Sequence, residues 1–136
     1  MSIEITPYGV KSEIDNYNTD AVMTELEKEA IGYIKREFKK RNIDFGEIRL
    51  RRRSKAYLTL LAPNDYDFCR IKAGKQSVWF SVHGFNLPEN IKKDSRFDNA
   101  KKSLLHWKIK LSSIDDFKDN SDLISESYLS IKDFKK

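Results

Sequence analysis

Residues 66–84, YDFCRIKAGKQSVWFSVHG, decide the fold. Two runs rich in β-branched and aromatic residues, 66–74 and 77–84, each end in glycine. The connection Ala-Gly-Lys-Gln between the runs is short and contains Gly74. Apolar runs joined by a short glycine-containing connection are typical of a β-hairpin. The sequence therefore predicts two antiparallel strands at the centre of the domain.

Three more stretches are predicted to be strands, the first and third of them from a period-two pattern. They are GEIRLRR (46–52), AYLTLLA (56–62) and LLHWKIKL (104–111). The second is followed by Pro63-Asn64-Asp65, a turn sequence. Together with the hairpin they predict a five-stranded, mainly antiparallel sheet.

Helical spacing of apolar residues occurs on both sides of these strands. Val22, Leu26, Ala30 and later residues recur at steps of three and four, which predicts a helix that begins at Thr19 or Asp20 and ends at Asn42. Near the other end, Ser113–Asp116 resembles a capping box, and a second cap at Ser121 precedes an amphipathic pattern. We expect an α+β fold with an N-terminal helix, the five-stranded sheet and a C-terminal helix, both helices on one sheet face. Residues 1–17 are expected to form a flexible arm with a short strand at Ile3–Ile5, and residues 18–136 a single domain.

Composition excludes several classes of protein. The chain has 136 residues, 39% hydrophobic and 12% aromatic, which fits one folded domain. One cysteine and two histidines rule out an intramolecular disulfide framework and a typical zinc site, so we predict no metal and no cofactor. The sequence shows neither a secretory signal nor a membrane-spanning stretch, and we expect a cytoplasmic protein.

Charge is distributed unevenly along the chain. Residues 1–30 carry a net −5, residues 31–63 a net +7, residues 64–113 a net +5 and residues 114–136 a net −2. A basic middle between acidic ends indicates an anionic partner for the middle. The alternative is that the lysines serve only solubility.

Period-two alternation assigns the strand residues to two faces. Ile48, Leu50, Cys69, Ile71, Val78, Phe80, Val82, Trp107 and Ile109 are expected to face the helices. The opposite face then collects the candidate nucleic-acid-binding residues, which are Arg49, Arg51, Phe68, Arg70, Lys72, Trp79, His83, His106, Lys108 and Lys110, with Arg52 and Arg53 at a strand end. Cations attract phosphates and exposed rings stack on unpaired bases. The alternative is that the 85–103 loop covers Phe68 and Trp79.

The sequence gives little support for a catalytic function. A metal-dependent nuclease needs a second carboxylate where Arg70 stands, two residues before Lys72. His83 and His106 are predicted on one face of adjacent strands, where paired histidines can act as acid and base. No His-x-Ser/Thr repeat accompanies them, and Cys69 is expected in the core. We therefore predict a protein that is not an enzyme.

From Tyr57 onward the chain resembles a small bacterial domain of unknown function, found alone or fused to restriction-type nucleases, methylases or predicted transport proteins. The resemblance rests on these motifs: Asp67-Phe68-Cys69, Val78–Val82, Asp94-Ser95-Arg96, His106-Trp107, and Asp115, Asp116, Leu123, Ile124 and Tyr128. The family offers no established catalytic residues. The resemblance implies a cytoplasmic accessory module associated with DNA processing or defence systems.

Two functions from different classes follow. The first is a noncatalytic accessory domain, bacterial or phage, that binds DNA or RNA without sequence preference through the basic sheet face and the 92–102 loop. The second is a phage or mobile-element protein–protein module that inhibits a host nucleic-acid-processing protein, its acidic ends imitating phosphate charge. A degenerate or unusual hydrolase is a third hypothesis.

Overall fold

A single antiparallel sheet organises the described part of the chain. The computed structural model describes residues 3–6, 9–12, 23–52 and 57–134. The strands are β1 (Ile3–Thr6), β2 (Gly9–Ser12), β3 (Arg49–Arg52), β4 (Leu58–Leu61), β5 (Asp67–Ala73), β6 (Val78–His83), β7 (Lys101–Lys102) and β8 (His106–Leu111). The helices are α1 (Glu25–Lys40), the short α2 (Glu89–Lys92) and α3 (Asp116–Ile131). The strand order is β2-β1-β3-β4-β5-β6-β8-β7. Within these ranges, no helix combines the length and apolar character that crossing a membrane requires.

The α+β fold predicted from the sequence is confirmed. The five predicted strands are β3, β4, β5, β6 and β8, and the predicted helices are α1 and α3. Two segments of the stretch expected as a flexible arm, Ile3–Thr6 and Gly9–Ser12, form a hairpin that pairs with β3. The rest of that stretch lies outside the described residues.

α1 begins at another residue than the sequence pattern indicated, whereas α3 begins at Asp116, within the predicted Ser113–Asp116 cap, where the Asp116 carboxylate accepts from the backbone N–H of Ser113. α1 starts after Thr24, whose hydroxyl accepts from the backbone N–H of Glu27, while the Glu27 carboxylate accepts from the N–H of Thr24. Thr19 and Asp20, the predicted caps, are outside the described residues. Ser121 is not a cap, because α3 begins five residues earlier at Asp116. Its hydroxyl instead donates to the carbonyl of Phe117 inside the helix, which satisfies a buried polar group.

The hydrophobic core lies between the sheet and the two long helices. α1 and α3 pack on each other and on the central strand β5, and α3 also packs on β6. The nine residues predicted to face the helices all belong to this core or pack against it. Three aromatic rings mark its centre, since Phe38 of α1 and Tyr128 of α3 both contact the ring of Phe68. Burial of apolar surface here is the main stabilising term.

A β-bulge changes which way Phe68 points. Leu60 pairs with Cys69, but the next residue, Leu61, pairs with Asp67, so Phe68 is the extra residue. A bulge of this kind interrupts the alternation of side chains between the two faces. Phe68 is therefore fully buried against the helices instead of facing outward, which corrects its predicted position.

The segment between β6 and β8 folds against α3 instead of over the outer sheet face. It contains α2, two single turns of 3₁₀ helix at Gly84–Asn86 and Ser95–Phe97, and β7. The guanidinium of Arg96 donates to the carboxylates of Asp94 and Asp122, which ties the segment to α3. Hydrogen bonds from Arg96 lower the pKa of Asp94 to about 2. Arg96, predicted as part of a basic binding loop, is thus committed to an internal ion-pair cluster.

Candidate nucleic-acid interface

The sheet face opposite the helices, here called the outer face, carries side chains in rows across the strands. One row runs through Arg70, Ser81, Lys108 and Lys101 on β5, β6, β8 and β7. The next row contains Lys72, Trp79 and Lys110. Neighbouring strands are about 4.8 Å apart, so side chains in one row are close neighbours. We call the five cations of these rows the basic patch: Arg70, Lys72, Lys101, Lys108 and Lys110.

Most of the basic patch lacks a neutralising acid. Among the described residues, none of its four lysines forms an ion pair with a carboxylate. Arg70 is the exception, because its Nε donates to Asp67 at 2.7 Å. Lysines of like charge on adjacent strands repel each other, and the repulsion is relieved when a bound polyanion neutralises them. The patch is therefore suited to an anionic partner.

Two aromatic rings lie inside the basic patch. The rings of Tyr57 and Trp79 are 5.8 Å apart between centroids. A cation lies against each of them: the Arg70 guanidinium is 5.8 Å from the Tyr57 ring and Lys108 Nζ is 4.7 Å from the Trp79 ring. Trp79 keeps part of its surface exposed. Rings and cations thus share one open surface, as period-two alternation predicted for Trp79, Arg70 and Lys108.

A pocket of about 280 Å³ opens between these side chains. Its lining consists of Tyr57, Arg70, Trp79, Ser81, Lys101, Ser103, His106 and Lys108. The depression exists because the small Ser81 lies in the row between the long side chains of Arg70 and Lys108. A larger groove of about 760 Å³ adjoins it, since Lys101 and Lys108 line both. The groove follows β8 past the end of β7.

Buried polar groups hold the floor of the pocket in place. Ser81 is 2% exposed and His106 8% exposed, and Ser81 Oγ lies 3.0 Å from His106 Nδ1. On the other side of the ring, His106 Nε2 is 3.4 Å from Oδ1 of Asp67, whose other oxygen accepts from Arg70. Asp67 holds the guanidinium at the pocket wall through its hydrogen bond from Arg70 Nε.

The histidine pair was predicted correctly in position but not in exposure. His83 and His106 face each other across β6 and β8 with ring centroids 5.8 Å apart. His83 is nevertheless buried beside Tyr66. Burial lowers the pKa of His83, and the nearby His106 lowers it further. His83 is thus not part of the open surface, whereas His106 reaches the pocket.

Of the β3 arginines that the structure describes, Arg51 lies in the same row of the outer face as Arg70, with Thr59 of β4 between them, and the other two are engaged with carboxylates. Arg49 forms an ion pair with Asp65, and Arg51 is half-buried on the outer face opposite Thr59. Arg52 points to the helix side, where it forms an ion pair with the buried Glu27 at the start of α1. Its predicted place in a phosphate-binding cluster is therefore corrected. Arg53 lies outside the described residues.

Sequence reasoning missed Tyr57 on this surface, and it placed Lys101 only within the 92–102 loop that was expected to bind nucleic acid. Tyr57 precedes β4, and alternation from the buried Leu58 and Leu60 places it on the outer face; the same pattern was available in the sequence. Lys101 reaches the surface through β7, a strand of only two residues, which is too short for periodicity to reveal. In the turn after β7, Leu104 is 87% exposed and Leu105 49% exposed.

Potential metal ligands are scattered rather than clustered. Across residues 23–52 and 57–134, no group of three His, Cys, Asp or Glu side chains lies close enough to hold a metal ion. Asp65 and Asp67, the carboxylates that precede Arg70 and Lys72 in the chain, each form an ion pair with an arginine. Cys69 lies in the core.

A comparison of the chain with protein-family models, curated proteins and solved structures found no match. The resemblance to a bacterial accessory domain therefore remains a prediction.

Proposed function

We propose that the chain is a noncatalytic accessory domain that binds DNA or RNA through the basic patch and the aromatic rings within it. The observation that carries the proposal is the row arrangement of Lys72, Lys101, Lys108 and Lys110 around Trp79. A cationic surface binds nucleic acid independently of sequence, because each neutralised phosphate releases counterions. The net charge of +5 adds a favourable long-range field.

Fewer of the predicted residues are available to bind nucleic acid in the folded protein than the sequence pattern indicated. Arg49 and Arg52 are engaged with carboxylates and Phe68 is in the core. Reversing Arg49 would break its ion pair with Asp65, so a loss of binding would be hard to interpret. Lys72 and Lys110 are better test positions, because they flank Trp79 in its row and have no acidic partner within the described residues.

The experiment compares the wild type with the double variant Lys72→Glu, Lys110→Glu by fluorescence anisotropy on a labelled oligonucleotide. We expect at least a tenfold weaker affinity, since two attractive contacts become repulsive. The matched control is Lys40→Glu, Lys118→Glu, which makes the same charge change at exposed positions on α1 and α3. Equal losses in the two double variants would show that only net charge matters and would refute the assignment to the patch.

A second candidate function, a module that docks on a nucleic-acid-processing protein, is favoured by Leu104 and Leu105. Exposed leucines side by side at a turn are typical of a protein contact. The double variant Leu104→Ser, Leu105→Ser separates the two functions. Under the nucleic-acid proposal its affinity for the oligonucleotide stays within about twofold of wild type. Under the docking function it loses a stoichiometric protein partner that the Lys72→Glu, Lys110→Glu variant retains.

A further inference from the structure

The pocket beside Trp79 has a shape and chemistry that the basic patch alone does not require. A flat cationic surface is sufficient for nonspecific attraction to phosphates. Here the cations surround a concave site of about 280 Å³ that contains two aromatic rings. The ring faces of Tyr57 and Trp79 can accept the flat face of a nucleobase, which is available only when the base is unpaired.

The phosphate-binding part of the pocket lies next to these rings. Arg70 is held through its Nε by Asp67, and its two terminal nitrogens make no hydrogen bond to a described residue. Lys108 stands on the other side of Ser81 in the same row. A phosphate between the two cations receives charge-assisted hydrogen bonds, and the guanidinium presents a forked pair of donors.

Lys108 occupies the ring of Trp79 in the structure, with Nζ 4.7 Å from the centroid. A cation over an exposed ring is a weak contact, and a stacked base is the stronger one. A lysine side chain is flexible enough to leave the ring and to follow the phosphate of the same nucleotide. When a base takes the place of the Lys108 side chain on the Trp79 ring, the complex therefore gains a stacking contact, and it also gains an ion pair between Lys108 and the phosphate.

We infer that this pocket seats one unpaired nucleotide of a single strand, its base against Tyr57 and Trp79 and its phosphate between Arg70 and Lys108, while the strand continues along the groove beside β8. The inference rests on the proposed function and narrows it to single-stranded nucleic acid. Lys101 and Lys110 line the groove and meet the backbone beyond the pocket.

The test separates base contacts from phosphate contacts with three labelled probes of equal length. They are a ten-nucleotide oligothymidylate, an abasic deoxyribose-phosphate strand of the same length, and a ten-base-pair duplex. We expect the oligothymidylate to bind about 5- to 140-fold more tightly than the abasic strand, the range given by about 1–3 kcal/mol of stacking at 1.4 kcal/mol per factor of ten. The duplex, whose bases are paired and cannot stack on the rings, should bind more weakly than the oligothymidylate.

Variants of Trp79 test whether the difference in affinity between the oligothymidylate and the abasic strand arises in the pocket. Trp79→Ala should bring the affinity for oligothymidylate close to that for the abasic strand, with little effect on the abasic strand itself. Trp79→Phe keeps a ring and should retain most of the difference. Oligothymidylate should quench the tryptophan emission of the wild type and should leave that of Trp79→Phe unchanged, because the other tryptophan, Trp107, packs against Phe97 on the opposite face.

The outcomes distinguish the two proposals. If all three probes bind equally and lose affinity with salt, the basic patch binds polyanions but the nucleotide pocket is refuted. If none of the probes binds, the proposed function itself fails. If Trp79→Ala weakens the abasic strand as much as the oligothymidylate, the ring acts through the structure of the patch and the inference is overturned.

Discussion

Alanine substitutions at two aromatic residues, Phe68 and Trp79, test where the structure places their rings. Phe68 is 0% exposed and contacts both Phe38 and Tyr128, whereas Trp79 is partly exposed beside Lys108. The two alanine variants should therefore behave in opposite ways. Phe68→Ala perturbs stability, and Trp79→Ala perturbs ligand affinity.

The expected magnitudes follow from burial. Truncating a fully buried phenylalanine removes its transfer free energy and leaves a cavity, which costs about 3–5 kcal/mol of the free energy of unfolding. Trp79→Ala removes a partly exposed ring and should cost about 1 kcal/mol. Phe68→Leu, which fills most of the cavity, should lose less stability than Phe68→Ala and keeps the comparison possible if the alanine variant does not fold.

Urea denaturation followed by circular dichroism measures the stabilities, and anisotropy with a single-stranded oligonucleotide measures affinity under conditions where each variant is folded. We expect folded Phe68→Leu to bind like the wild type and Trp79→Ala to bind at least fivefold more weakly. The reasoning is refuted if Phe68→Ala loses less than about 1 kcal/mol of stability and weakens binding as much as Trp79→Ala.

Three further predictions concern other positions. Gly84→Ala should lower the free energy of unfolding by about 1–3 kcal/mol, because a Cβ there would overlap the ring of Trp107. Gly32→Ala should raise it by about 0.5–1 kcal/mol, because a Cβ at this position of α1 meets open space. Thermal unfolding of both variants and the wild type measures the two changes. Burial lowers the pKa of His83 in the folded protein, so as the pH falls the unfolded chain takes up the proton at a higher pH than the folded one. The free energy of unfolding should therefore decrease as the pH drops below about 6.5. His83→Gln should reduce this decrease, and an unchanged pH dependence would contradict the role of His83. Burial raises the pKa of the Cys69 thiol well above its ordinary value, so a thiol-specific disulfide reagent at pH 8 should react only after unfolding, and rapid reaction with the folded protein would contradict the structure.

The sheet could be predicted from the sequence because alternation is a local property. Each of the stretches around Leu50, Leu60, Ile71, Phe80 and Ile109 shows which residues share a face without reference to any other strand. The same reasoning placed Trp79, Arg70, Lys72, Lys108 and Lys110 together on the outer face, where the structure has them.

The bulge at Phe68 could not be predicted because it depends on two strands at once. β5 pairs with β4 after a tight turn in which Asp65 adopts a left-handed conformation, φ 70°, and the register shifts one residue beyond that turn. Alternation within 66–74 alone carries no sign of this shift. The result is a fully buried ring at Phe68, between the charged Asp67 and the buried Cys69.

Ion pairs between residues far apart in the chain are the other feature that could not be predicted from the sequence. Arg49 with Asp65, Arg52 with Glu27, and Arg96 with Asp122 are separated in the chain and meet only after folding. A count of positive residues treats all of them as available for a ligand. The start of α1 is different, because the motif Thr24-x-x-Glu27 is a capping box visible in the sequence.

The central claim is that four lysines on one sheet face bind the phosphates of nucleic acid, and the salt dependence of affinity tests it most directly. The logarithm of the association constant for a single-stranded oligonucleotide is measured against the logarithm of salt concentration, for the wild type and for Lys72→Glu, Lys110→Glu. If the four lysines each neutralise one phosphate, the wild-type slope should be about −3, at about 0.7 per phosphate, and the variant should lose about half of it. A slope near zero, or the same slope for both proteins, would contradict the account.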